Sequence, residues 1–207
     1  MGKQVIFDRT AIDGLEKKYR ISLINSISGF KSANLIGTSN KNGEHNLAIF
    51  NSVMHIGANP PLLGFILRPI TVPRHTYQNI KETGFYTINF VNSQTVDRAH
   101  QTGAKYEEKE SEFAECSFMP QFYNDFTAPF VEESHVKLGM EFKEQLPIKT
   151  NGTFLIVGEI KHIIIEDEKF IQESGAIDLV ASDAIAVAGL DTYFSPRFLK
   201  KLPIPRR

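Results

Sequence analysis

The chain has 207 residues, 42% of them hydrophobic and 23% charged, and its 23 Lys and Arg nearly balance 24 Asp and Glu. That composition excludes a disordered segment and a general nucleic-acid or membrane-surface binder, which carries an excess of basic residues. The single cysteine, Cys116, excludes an intrachain disulfide framework and a cysteine metal cluster.

No apolar run reaches membrane-span length, and residues 1–20 lack the h-region of a signal peptide. The expectation is one soluble, cytoplasmic domain over residues 1–207, with its core at 30–195 and a surface tail at 196–207. Taken in chain order, Thr10 to Lys18 reads as a short polar helix, with Thr10 as N-cap and Asp13 three residues on. Leu23–Phe30 is apolar enough to be buried, in a conformation the pattern leaves open. Strands at Asn34–Ser39 and His45–Ile56 flank Asn40-Lys-Asn-Gly43, whose Asn-Gly pair supplies the positive φ values of a tight hairpin. Pro60-Pro61 stops the second strand, and Leu62–Leu67 is apolar on both faces, as a central strand is.

A helix over Pro73–Thr83 ends at Gly84, and Phe85–Val91 is a further strand. The polar stretch Asn92–Asn124 predicts short helices and surface loops. Val136, Leu138, Met140 and Phe142 alternate with Lys137, Gly139, Glu141 and Lys143, the cleanest period-two pattern in the chain. Asn151-Gly152 is a turn, Phe154–Ile165 a long β-branched strand, and Ala184–Ala188 a last short one. About six strands, mostly hairpin-connected, predict a mainly-β antiparallel barrel, Greek-key-like, with a few peripheral helices; closing the sheet removes its edges.

Nucleotide-fold motifs are absent: there is no G-x-G-x-x-G, no G-x-x-x-x-G-K-[ST] and no G-x-S-x-G. The six histidines form no H-E-x-x-H motif, so no metal ligand is assigned. Glu107-Glu108 and Glu132-Glu133 read as solvated charge. Two clusters carry candidate chemistry. Arg68 to Asn79 joins a buried strand to a helix start, where Arg68, Arg74, His75 and the Thr76 hydroxyl would suit an anion beside free N–H groups. The same segment would also serve as a proline-stiffened surface loop. Asn46, Asn51 and Ser52 place polar groups on an otherwise apolar strand, either for the edge of a planar heterocycle or for pairing between neighbouring strands.

At these clusters the sequence resembles the flavin reductase-like family, in its flavoredoxin-like branch. The resemblance rests on Gly37–Ser52, Asn59-Pro-Pro-Leu-Leu-Gly-Phe65 and Thr76–Asn89. It continues through Glu110-Ser-Glu-Phe113, Phe154–Ile160 and Gly189-Leu-Asp-Thr-Tyr193. It implies an FMN-binding split β-barrel that forms a homodimer with the flavin near the interface. Asn46, Leu47 and Ala48 would face the isoalloxazine or ribityl portion largely through backbone groups, with Phe50, Asn51 and Ser52 continuing the wall. Thr76 would meet the ribityl-phosphate end, Arg74 and His75 would neutralise the phosphate, and Arg68 would assist. Ser52 stands where some members carry an aromatic, and Thr153 where some carry a histidine.

The implied function is an oxidoreductase moving electrons from NAD(P)H through FMN, or FAD, to free flavin or a partner such as a monooxygenase. A flavin-binding electron carrier without nicotinamide turnover and a barrel for another anionic planar ligand are the alternatives. No side chain is assigned as a catalytic acid or base.

Overall fold

The computed structural model describes residues 2, 4–107, 109–203 and 205; Glu108 and, in the tail, Ile204, Arg206 and Arg207 lie outside the described residues. Two short helices, α1 (Arg9–Gly14) and α2 (Lys17–Ser26), precede β1 (Lys31–Ser32), β2 (Asn34–Ser39), β3 (His45–Phe50), β4 (Met54–Ala58) and β5 (Pro61–Leu67). Helix α3 (His75–Thr83) leads into β6 (Phe85–Phe90). The polar middle holds α4 (Val96–Gln101), α5 (Glu112–Glu115), β7 (Pro120–Gln121) and β8 (Phe130–Val131). Two long strands follow, β9 (Val136–Ile148) and β10 (Thr153–Ile165), then β11 (Ala186–Ala188) and β12 (Thr192–Phe194).

Seven strands pair antiparallel in the order β3-β2-β6-β9-β10-β5-β4. Its two edges, β3 and β4, are consecutive in the chain and separated only by Asn51–Val53. A flat sheet of seven strands would set those edges roughly 29 Å apart at about 4.8 Å per strand. The step from Phe50 to Met54 reaches at most about 14 Å. The sheet must therefore curl until its edges nearly meet, which makes a split barrel. The expected single strand His45–Ile56 is thus two strands broken at Asn51–Val53, because one straight strand cannot belong to both edges.

Local chemistry accounts for the turns. The β2–β3 connection is a five-residue loop in which Gly43 takes φ +80° and the Asn40 side chain accepts from the Asn42 and Glu44 N–H groups. In β10, register shifts at Val157/Gly158 and Ile160/His162 bend the strand around the barrel. The Tyr86 hydroxyl fills the space that a side chain at residue 158 would need, so Gly158 lets the core close.

Inside the barrel, Phe65, Tyr86, Ile88, Met140 and Ile156 form one buried cluster. On the far side of β2 and β3, Leu35, Leu47, Phe113, Phe118 and Val187 form a second, beneath a small sheet of order β1-β11-β12.

Other details differ from the sequence pattern. The α1 N-cap is Asp8, whose carboxylate accepts from the Ala11 N–H, rather than Thr10. Leu23–Phe30 is not buried: α2 carries no buried residue, and Phe30 is 69% exposed. Lys137 lies on the face of β9 turned away from the barrel core yet is fully buried, because Gln121 and Glu132 from the preceding segment cover it there. The last hairpin gains β12, which the sequence pattern does not signal.

Candidate functional site

A cleft of about 670 Å³ lies at the split in the barrel. Its floor is the inward side of β3, namely Asn46, Ala48 and Phe50, continued by Asn51 and Ser52. Arg68 at the end of β5 and Arg74, His75 and Thr76 at the start of α3 make one end. The opposite wall is the loop after α4, from His100 to Tyr106, with Glu112 of α5 behind it and Val187, Leu190 and Tyr193 from the last hairpin.

Nine of the ten predicted site residues therefore converge. The exception is Leu47. Alternation along β3 turns its side chain into the outer cluster, and its N–H donates to the Glu112 carboxylate at 3.0 Å. That N–H is not offered to the cleft.

The polar strand residues are pinned by their neighbours. Asn46 donates to the Thr76 hydroxyl at 3.0 Å, joining β3 to α3. Asn51 donates to the Gly189 carbonyl at 2.9 Å, tying the barrel edge to the last hairpin. The Ser52 hydroxyl donates to the Ile66 carbonyl and accepts from its N–H at 3.0 Å, bridging the split to β5. These side chains follow the internal-pairing alternative; they hold the wall in shape, and an aromatic in place of Ser52 would lose that bridge.

The α3 end has the opposite character. Arg74 is the N-cap residue yet its side chain makes no cap hydrogen bond, and the first helical bond runs from the Gln78 N–H to the Arg74 carbonyl. Among the described residues, the N–H groups of His75, Thr76 and Tyr77 have no partner. Arg74 Nε is buried and unpaired as well. Unpaired donors, a helix dipole and two guanidinium groups at one end of a cleft fit a phosphate.

Glu112, 6% exposed, supplies the one buried carboxylate among the described residues. Burial raises its affinity for a proton, while the Leu47 N–H bond and the nearby His75 work in the other direction. At the mouth, the His100 ring and the Tyr193 hydroxyl meet at 2.9 Å. Burial, with Asp191 nearby, pushes the Tyr193 phenol up.

Residue-by-residue reading missed the far wall. His100 and Tyr106 carry no local signature. Glu112 and Tyr193 lie within Glu110–Phe113 and Gly189–Tyr193, stretches in which the resemblance was already visible.

A family model for the flavin reductase like domain matches residues 27–177. The chain belongs to that family. It is similar over 98% of its length, at 46% identity and a TM-score of 0.94, to all of a Shewanella frigidimarina protein described as a flavin reductase with a split barrel domain. Flavoredoxin of Desulfovibrio vulgaris is similar over 83% of this chain and 90% of its own, at 24% identity and a TM-score of 0.72. Nitrilotriacetate monooxygenase component B of Bacillus cereus shares the fold over 98% of this chain and all of its own, at 17% identity and a TM-score of 0.83. An uncharacterised protein of Halalkalibacterium halodurans is 25% identical over 177 residues, covering 82% of this chain and 83% of its own. Among the described residues no helix is long and apolar enough to cross a membrane.

Proposed function

We infer that the cleft holds FMN and that the protein is an oxidoreductase moving electrons from a reduced nicotinamide nucleotide to free flavin or to a partner protein. One observation carries this reading: a cleft of flavin size with a cationic, donor-rich pole at one end and a half-apolar, amide-edged slot beside it. The family supports a flavin, and the flavoredoxin and the FMN-binding protein of Thermus thermophilus among proteins of the same fold point the same way. A single cationic pole suits the monophosphate of FMN better than the diphosphate of FAD.

When bound, FMN supplies the hydride acceptance and onward electron transfer. The residues do the rest. The N–H groups of the α3 first turn, with Arg74 and Arg68, hold the phosphate, and His75 adds charge there when protonated. Thr76, fixed by Asn46, keeps its hydroxyl hydrogen free to donate toward the ribityl chain. The rigid link Asn51–Ser52 and the backbone of β3 shape the slot for the ring, and Phe50, Tyr106 and Tyr193 exclude water from its walls. No side chain is needed as general acid or base. A monooxygenase is one candidate acceptor, in line with the shared fold of the component B proteins.

Titration with FMN, followed by flavin absorbance and fluorescence, tests the cofactor; protein that acquires no flavin signal overturns it. Anaerobic addition of NADH and of NADPH to the loaded protein tests turnover. Bleaching of the visible absorbance band of the oxidised flavin supports the reductase reading. A flavin that stays oxidised with both nucleotides leaves an electron carrier.

A further inference from the structure

Glu112 is the only acidic side chain among the described residues that line the cleft. The same walls carry Arg68, Arg74, His75, His100 and Lys105. A carboxylate in such a cleft lowers its affinity for an anion.

The fold gives this carboxylate no freedom to turn away. β3 pairs with β2 on one side only, so its other edge is open, and the Leu47 N–H faces out from that edge. Glu112 Oε2 stands where the carbonyl of a further strand would stand and accepts that N–H at 3.0 Å. Phe113 and Cys116 of α5 are buried with Leu47 in the outer cluster, which fixes the helix against β3. Backbone on one side and packing on the other hold Glu112 in the wall.

Nor is its charge cancelled. Among the described residues no Lys or Arg pairs with it, and His75 is the cation whose charge reaches it. Burial favours the neutral form, while the Leu47 N–H and its own N–H favour the ionised one. Its other titratable neighbours stay uncharged at neutral pH. The Tyr106 phenol is pushed up by its bond to Cys116, and the Cys116 thiol by burial, with the Glu112 charge adding to both. Glu110 and Glu115 on the same segment are exposed. His45 of β3 turns to the rings of Phe113 and Phe122, where burial pushes its affinity for a proton down. His75 shares its turn with Arg74 and the unpaired N–H groups, so the Glu112 charge is felt at the phosphate pole itself.

We propose that Glu112 limits how tightly the cleft keeps a phosphate-bearing flavin, its fixed carboxylate opposing the phosphate that Arg74 and the α3 turn attract. This role rests on the flavin-binding reading of the cleft. It makes the flavin an exchangeable substrate, which leaves to reach its acceptor by diffusion, rather than a permanently held group.

Equilibrium binding of FMN and of riboflavin to the wild type and to Glu112→Gln, from about pH 5 to about pH 8, tests it. Glu112→Gln keeps an acceptor for the Leu47 N–H and carries no charge. It should bind FMN roughly tenfold more tightly than the wild type at the upper end, the scale of a one-unit linkage. That ratio should fall toward one as pH drops and Glu112 takes up its proton. Riboflavin, the same ring without the phosphate, should bind both proteins equally. Equal FMN affinities across the whole range overturn the proposal. A riboflavin difference as large as that for FMN also overturns it, since the shape of the wall would then be the cause. Inorganic phosphate, read by thermal shift of the flavin-free proteins, separates this role from flavin binding: it should stabilise Glu112→Gln more than the wild type. If FMN binds neither protein while the phosphate difference persists, the flavin reading fails and the opposing charge of Glu112 stands. If the phosphate difference is absent as well, both fail.

Discussion

Lys137 and Arg74 are both cations drawn into the protein, and their surroundings give them opposite roles. Lys137 is fully buried on β9, and all three of its N–H groups are used. It donates to Gln121 Oε1 at 2.6 Å and to the Glu132 carbonyl at 3.0 Å, and pairs with Glu166 at 2.6 Å. Arg74, at the split, keeps Nε buried and unpaired beside three free helix N–H groups. A buried cation with every donor satisfied fastens parts of the chain together. One with a donor to spare, facing a cleft, is prepared for a ligand. Tyr86 marks the boundary of that rule: its hydroxyl is also unpaired, but it is sealed in the barrel core, so no ligand reaches it.

Removing the fastener has the largest expected effect. Lys137→Ala leaves Glu166, Gln121 and a backbone carbonyl without their donor and lowers unfolding free energy by about 3–5 kcal/mol, read by urea denaturation. A loss under 1 kcal/mol would erase the contrast with Arg74. Next comes Arg74→Ala, which should weaken FMN retention by about 1.5–3 kcal/mol, the range for a hydrogen bond to a charged group, and flatten its salt dependence. Apo stability should stay the same or rise. Unchanged FMN affinity across a salt series would remove Arg74 from the site.

Tyr86→Phe removes an unsatisfied group and should be neutral or stabilising by up to about 1 kcal/mol; a clear loss would show that the hydroxyl has a partner after all. The last effect is a slope. Burial raises the Glu112 pKa above its unfolded value, so the native state holds this proton more tightly than the unfolded chain does. The resulting stability is present below the unfolded pKa, near pH 4.5, and is lost as pH rises through the folded value. Glu112→Gln keeps an acceptor for the Leu47 N–H but no longer titrates. Its stability relative to wild type should therefore climb with pH above 4.5, and a pH-independent difference would refute the burial argument.

How much was legible in the sequence follows from the range of each interaction. Turn chemistry acts over four or five residues, so Asn40–Gly43, Gly84 and Asn151-Gly152 announced their turns directly. Period-two alternation identified β9 but held no sign that Lys137 is buried, because a strand's pattern records which side is apolar and not what later covers the other side. The same limit applied at residues 45–56. Continuous β propensity predicted one strand, whereas closing a seven-stranded sheet required a break at Asn51–Val53, where the cleft now lies.

The site divides along that line. Arg68, Arg74 and His75 sit within eight residues of one another, beside a helix start, and were found from the residues alone. The wall from His100 to Tyr106 reaches the cleft from across the fold with no local pattern to mark it, and Glu112 and Tyr193 were visible only as parts of stretches that carry the family resemblance. Amino-acid order by itself determined the mainly-β class, the turns and the basic helix start, because dihedral preferences and adjacent charges need no distant partner. Only the tertiary structure decided which strands became the edges, which polar side chains were spent on internal pairing, and which donor stayed free. Those outcomes depend on which residues meet after the sheet has curled.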